Sequence, residues 1–358
     1  MNKVYLYLET GTVKKAQSFG SMIEKPIMGE LVFNTSMTGY QEILTDPSYC
    51  DQFLVMTSPL IGNYGIHADD FESLQIWPKV LIVHEAQDFP HHPQSTGTLG
   101  DFLKEQKVIG IHDLDTRDLT HQIRNHGSMK AIISSVELSK DEINSLFKHP
   151  LPTDQVKRTT SNQPILFPGE KEKIVLMDFG CKQNILKSLL KRQCQVVVVP
   201  AFSSAASILR YRPQGIVLSN GPGDPKSLSD IFPVIRDLQE KLPIFGICMG
   251  HQVLALANGA DTYKMPFGHR GGNHPVKNIE TDRIVMTSQN HGYAVDAKSL
   301  DSTPLKLTEI NLNDQTVEGL RHKTRPVFSV QYHPEAHPGP LDTMNLFDDF
   351  LQMVKKNA

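Results

Sequence analysis

The sequence predicts an α/β protein of two domains, a β-rich mixed domain followed by a doubly wound parallel sheet. Three observations carry this reading. The 358 residues exceed what one hydrophobic core usually serves, so two domains are the default. From residue 173 onward, short apolar strands alternate with helices, the pattern of parallel strands joined by helical crossovers. Between the halves periodicity is lost: residues 151–172 follow Pro150 with Pro152, Pro164 and Pro168 among polar residues, and read as a linker. The domains are therefore expected at 1–150 and 173–358.

In the first half, residues 3–8 and 12–19 predict an opening hairpin turned at Thr10–Gly11. Strands are expected at 29–34, 53–57, 79–84 and 130–134. Helices are expected at 98–106, at 113–125 with Asp113 or Asp115 as N-cap, and at 139–148 capped by Ser139. In the second half the order is strand 173–177, helix 182–192, strand 196–199, helix 203–211, strand 215–219 and helix 229–241. A strand at 244–247 leads into a helix at 249–257; strand-like pieces at 284–287 and 327–331 and a helix at 341–355 complete the chain. Such sheets place their sites at the carboxyl ends of strands. Both SNGPGDP (219–225) and Cys248 occupy that edge.

The composition excludes several classes. Net charge is −3, with 39% hydrophobic and 21% charged residues, so there is no basic footprint for nucleic acid or an anionic membrane. Mean hydropathy is −0.28 and no run of about 18 apolar residues exists to span a bilayer. The opening residues alternate like a strand and reach Glu9 too soon for a secretory leader. Four scattered cysteines make neither a disulfide framework nor a zinc site, so reduced thiols in the cytoplasm are expected.

The chemistry centres on PIFGICMGHQVLALANG (243–259). A cysteine between a strand end and a helix start, flanked by Gly246 and Gly250, has the nucleophile-elbow pattern written in sulfur. The helix N-terminus favours a thiolate there. A lone cysteine is usually core; the two glycines and the polar His251–Gln252 pair argue otherwise. Such a nucleophile needs a base, and the base an orienting group. The strand VFSVQY ends in His333–Pro334–Glu335, and in extended geometry residues two apart point the same way. His251 and His291 are rival bases without a neighbouring acid. Oxyanion donors would be the amide of Met249 and the glycine-rich turn at 220–223.

GICMGHQ (246–252) with QYHPEA (331–336) resembles the class I, or triad, glutamine amidotransferases. LSNGPGDP (218–225), FGHRGGNHPV (267–276), QNHGYAVD (289–296) and FNTSMTGYQEILTDPSY (33–49) narrow the likeness. Together they are similar to the small, glutamine-hydrolysing subunits of carbamoyl-phosphate synthetases, over almost the whole chain. The resemblance implies a swivelling-type β-rich N-terminal domain before a class I amidotransferase domain. It implies Cys248 as nucleophile, His333 as acid–base and Glu335 as its orienting group. Gly221 and Met249 match backbone oxyanion donors, and Ser36, Gly223, Gln252, Asn290, Gly292 and Tyr293 match positions that grip glutamine. Met249 and Tyr293 stand where the family often has leucine and phenylalanine; the resemblance implies that backbone atoms carry much of these contacts, so neither change removes the expected activity.

The resemblance also implies a partner, a large ATP-dependent subunit that makes carbamoyl phosphate for arginine or pyrimidine synthesis, in a cytoplasmic heterodimer. The chain has no Walker motif, so ATP and metal are expected on that partner and no cofactor on this chain. His269 and His274 lack a nearby carboxylate or cysteine in sequence, so no metal is expected there. The alternatives are a stand-alone cysteine hydrolase of similar fold, or an idle binding module.

Overall fold

The computed structural model describes residues 2–357, and the chain divides after Pro152 into two compact units. In the first, β1 (Asn2–Leu8) and β2 (Val13–Gly20) form the opening hairpin, followed by β3 (Ile27–Asn34) and helix α1 (Tyr40–Thr45). Then come β4 (Gln52–Met56), β5 (Leu60–Ile61), β6 (Val80–Ile82), β7 (Glu85–Ala86), α2 (Leu99–Glu105) and β8 (Ile109–His112). The unit closes with α3 (Thr116–His126), β9 (Met129–Ser134) and α4 (Lys140–Lys148). Seven strands close into a barrel in the order β1-β2-β8-β6-β4-β3-β9, while β5 and β7 pair apart from it. Val32, Leu54 and Leu81, neighbours across β3, β4 and β6, bury against Leu44 of α1 and Leu99 and Leu103 of α2. Asp115 caps α3 by accepting from Asp118 N–H, and Ser139 with Glu142 forms a capping box on α4.

The second unit begins within the segment expected to be a linker. Residues 153–172 belong to it: α5 (Gln155–Thr159) buries Val156, and β10 (Ile165–Phe167) pairs antiparallel as an edge strand. These pieces are too short to show a period, and Ile165 and Leu166 stay exposed, so no burial pattern marks them. Next come β11 (Lys173–Asp178), α6 (Gln183–Lys191), β12 (Gln195–Pro200), α7 (Ala205–Leu209), β13 (Gly215–Leu218) and α8 (Phe232–Gln239). They are followed by β14 (Ile244–Ile247), α9 (Met249–Ala257), β15 (Thr262–Asn278), β16 (Ile284–Val295), β17 (Leu305–Asn311), β18 (Val317–His322), β19 (Val327–Val330) and α10 (Leu346–Lys356).

Ten strands form one sheet in the order β10-β12-β11-β13-β14-β19-β18-β17-β15-β16. The five from β12 to β19 are parallel. Their side chains alternate between two cores, as a pleated sheet covered on both faces requires. Val175, Met177, Ile216 and Leu218 pack with Ile235 of α8 and Val253 of α9; Ile174, Leu176, Val217 and Phe245 pack with Leu189 of α6 and Phe350 of α10. Beyond β19 the sheet turns antiparallel, an extension largely unforeseen from sequence. β15 carries Pro266, Gly268, Gly271, Gly272 and Pro275 and has two register shifts against β16, which erases the apolar alternation.

The turn from β14 into α9 brings backbones into contact. A Cβ on Gly250 would lie 2.3 Å from Leu218 O of β13, and one on Gly246 would lie 2.8 Å from Gly250 O. Ala favours a helix interior over Gly by about 1 kcal/mol, but here the backbone contact decides. We expect Gly250→Ala to lower the unfolding free energy by about 1–3 kcal/mol in urea titrations; an unchanged or raised value would contradict this packing.

Candidate active site

Cys248 lies between β14 and α9 with φ 53° and ψ −101°. Positive φ on a non-glycine residue costs on the order of 1–3 kcal/mol and persists only where its surroundings enforce it. Here Cys248 N–H donates to Val330 O of β19 at 2.9 Å, and Gly250 N–H donates to Ser219 O at 3.0 Å. The turn points the sulfur, 2% exposed as a residue, to within 3.6 Å of Asn290 O on β16. Met249 begins the helix, where an N–H has no intrahelical acceptor.

His333 arrives on the loop after β19. Its N–H donates to Ser288 O at 2.9 Å, which ties the loop to β16. The segment is not extended as the sequence suggested: Ala336 N–H folds back onto His333 O at 3.1 Å. Glu335 still meets the imidazole, across this turn, with Oε1 2.7 Å from Nδ1 and both side chains buried. A carboxylate only accepts, so Nδ1 carries the proton. Nε2 has no hydrogen-bond partner of ordinary geometry and lies beside the Cys248 sulfur. Burial opposes a charged imidazole, but the Glu335 carboxylate and the Cys248 sulfur outweigh it and push His333 up to about 10.

One member of this group was missed in the sequence. Lys182, buried just before α6, places Nζ 3.1 Å from Glu335 Oε1 and also donates to Ala336 O. Burial would raise the Glu335 pKa, yet Lys182 and then His333 bring it down to about 2. The available signal was position: Lys182 follows the carboxyl end of β11, on the same edge as Cys248.

The rival bases are otherwise engaged. His251 Nδ1 lies 2.9 Å from Ser329 Oγ, and burial brings its pKa down to about 3. His291 places Nδ1 2.8 Å from Tyr293 O and Nε2 2.8 Å from Gln289 Oε1. Gly221 follows β13, where a Cβ would meet Phe179 O at 2.3 Å; Gly223 has φ +89°. Gln252 spends its Nε2 on Tyr293 O at 2.7 Å and Gln331 Oε1 at 2.9 Å, joining α9 to β16. Asn290, Gly292 and Tyr293 lie in β16, and the carbonyl of Asn290 faces the cysteine sulfur. Ser36 belongs to the first unit, after β3, where its N–H donates to Asn34 Oδ1 at 2.7 Å.

Two family models match the chain. "Carbamoyl-phosphate synthase small chain, CPSase domain" covers residues 6–133 and "Glutamine amidotransferase class-I" covers 175–353. The carbamoyl phosphate synthase small chain of Oceanobacillus iheyensis is 52% identical over 99% of this chain and 97% of its own length. Those of Listeria monocytogenes (51%, 99% and 97%) and Bacillus cereus (51%, 99% and 96%) are similarly alike. The chain belongs to the carbamoyl phosphate synthase small chain family. The barrel lies in the part matched by the small-chain CPSase domain, and the ten-stranded sheet is a class I glutamine amidotransferase domain. Among the described residues no helix is long and apolar enough to cross a membrane.

The buried Lys182–Glu335 pair makes a stability prediction for this small chain. The depressed Glu335 pKa contributes stability that is complete above about 4.5 and is lost as pH falls toward about 2. Lys182→Met leaves Glu335 with His333 alone, which should cost about 3 kcal/mol at pH 7 and move the acid loss to higher pH. Urea titrations at pH 7 and below measure both; equal stability across the series would refute the pairing.

Proposed function

We propose that this small chain hydrolyses glutamine through Cys248, His333 and Glu335 and passes the ammonia to a large, ATP-dependent subunit. The observation that carries the reading is the buried succession Lys182, Glu335, His333 and Cys248, which ends on a sulfur at a strained helix start.

In this reaction the sulfur attacks the side-chain amide carbon of glutamine, and the C=O electron pair moves onto oxygen. The amides of Met249 and Gly221 receive that oxyanion. His333 takes the thiol proton through Nε2 and returns it to the departing nitrogen as the C–N bond breaks, releasing ammonia and leaving a glutamyl thioester. His333 then removes a proton from water, which attacks the thioester; glutamate leaves and the proton returns to sulfur. Glu335 keeps the Nδ1 proton in place, so that Nε2 is the working nitrogen. Gly223, Asn290, Gly292, Tyr293 and the Oε1 of Gln252 surround the glutamine in this reading.

The names of the relatives support a large-subunit partner, since a small chain implies one. That partner would supply ATP and metal and make carbamoyl phosphate for arginine or pyrimidine synthesis, in a cytoplasmic heterodimer. No Walker motif is present in this sequence, which agrees with the division of labour.

Glutamate release from glutamine, with and without the large subunit, tests the reading. Cys248→Ser should lose at least about 10⁴-fold in kcat, while Glu335→Gln should retain about 10–100-fold more than that. Hydrolysis stimulated by the large subunit is expected; full activity of Cys248→Ser, or activity confined to peptides, would overturn the proposal.

A further inference from the structure

A second buried polar cluster takes no part in this chemistry. On the antiparallel extension, His269 of β15 and His291 of β16 are direct cross-strand partners, with ring centroids 5.0 Å apart. Glu318 of β18 is fully buried beside them, its Oε1 3.5 Å from His269 Nδ1. One donor atom from each of the three lies within 4.8 Å of the others. Gln289 Oε1 sits among them, 2.9 Å from His269 Nδ1 and 2.8 Å from His291 Nε2.

A proton count shows what this point lacks. His291 Nδ1 faces the carbonyl of Tyr293 at 2.8 Å, so its N–H is there and Nε2 presents a lone pair inward. His269 Nε2 faces Asp314 Oδ2 at 2.9 Å, so its N–H is there and Nδ1 turns inward. Gln289 cannot answer by turning its amide over. Its Nε2 donates to Thr287 Oγ1 at 3.1 Å, whose own hydrogen goes to His274 O at 2.8 Å, so a turned amide would set two acceptors together. Glu318 Oε1 accepts from Asn311 Nδ2 at 3.1 Å, but Oε2 has no partner among the described residues. A second proton on His269 would satisfy one contact and still leave His291 Nε2 and Glu318 Oε2 unanswered.

We propose that His269 Nδ1, His291 Nε2 and Glu318 bind a divalent metal ion of the zinc type, with Gln289 Oε1 beside the fourth position. Two imidazoles and one carboxylate form a borderline-soft donor set suited to Zn²⁺. Tetrahedral ligands at zinc bond lengths lie roughly 3.3 Å apart, and the 3.5 Å between His269 Nδ1 and Glu318 Oε1 is close to that. The outer contacts are those of a metal centre: each histidine gives its other N–H to a carboxylate or a carbonyl, and Asn311 holds the glutamate. All three ligands are buried, which makes the site closed and structural. It braces β16 one residue from Asn290, whose carbonyl faces Cys248. The sequence had pointed to His269 with His274 and away from a metal. The fold instead brings His291 across the strand and Glu318 from β18, 49 positions after His269 in sequence (318 − 269).

The test uses the full chain in complex with its large subunit, and the full chain alone. After chelator treatment, Co²⁺ is titrated into the chain and its visible absorption followed. One equivalent of tetrahedral Co²⁺ without a sulfur charge-transfer band is expected, displaced by Zn²⁺, and zinc should accompany this chain in the untreated complex. Asp314→Asn, which only loosens the orientation of His269, should weaken Co²⁺ binding about 10–100-fold, and Glu318→Gln should weaken it further. Circular dichroism reports whether each variant folds; if Glu318→Gln does not, the wild-type spectrum and Asp314→Asn decide. A folded wild type that binds no Co²⁺, binds it through sulfur, or binds it equally well as Asp314→Asn would overturn the site.

Discussion

The backbone at Cys248 is the constraint on which the second unit depends. A cysteine at φ 53° is unfavourable by itself, and it is held by neighbours on both sides. β19 accepts its N–H, and the strand-end residue Ser219 accepts the N–H of Gly250. Both acceptors are available because β14 lies between β13 and β19 in a parallel sheet, so three strand ends meet at one edge. The helix approaches this edge so closely that only a residue without a Cβ fits at position 250. The sheet and the conformation of Cys248 are therefore one requirement: moving the sheet register would release the turn.

Charge is the second requirement. Each buried ion costs several kcal/mol to remove from water, so a lone carboxylate at Glu335 would not stay ionised. Lys182 on one side and His333 on the other keep it so, and Glu335 in turn keeps His333 basic. The order matters. A lysine behind the glutamate keeps the carboxylate ionised, so that it stays an acceptor for His333 Nδ1. By contrast, the exposed pairs Lys306–Glu280 and Lys277–Asp282 are screened by water and add little.

The parallel core was legible in the sequence because burial on both faces leaves continuous apolar strands, as in β11 and β12. Cys248 was legible for a local reason, since its glycines and its place between strand and helix are neighbours in the chain. His333 and Glu335 were paired correctly in sequence by an extended geometry that the chain does not adopt; two-residue spacing serves a turn as well. What escaped reading depends on distant partners. β8 is four residues long, and only its neighbours β2 and β6 make it a strand of the barrel. Lys182 acquires meaning only from Glu335, and Glu318 only from two histidines on other strands. Position within the fold, more than residue type, decided these cases.

The central claim is that the strained cysteine carries the glutamyl group. Rapid acid quench of the chain turning over glutamine in complex with its large subunit, followed by peptide mass spectrometry, measures this directly. The account predicts one glutamyl adduct on the peptide containing Cys248, lost under alkaline treatment as a thioester is, and absent from Cys248→Ser. An adduct on another residue, or hydrolysis that persists in Cys248→Ser, would contradict it.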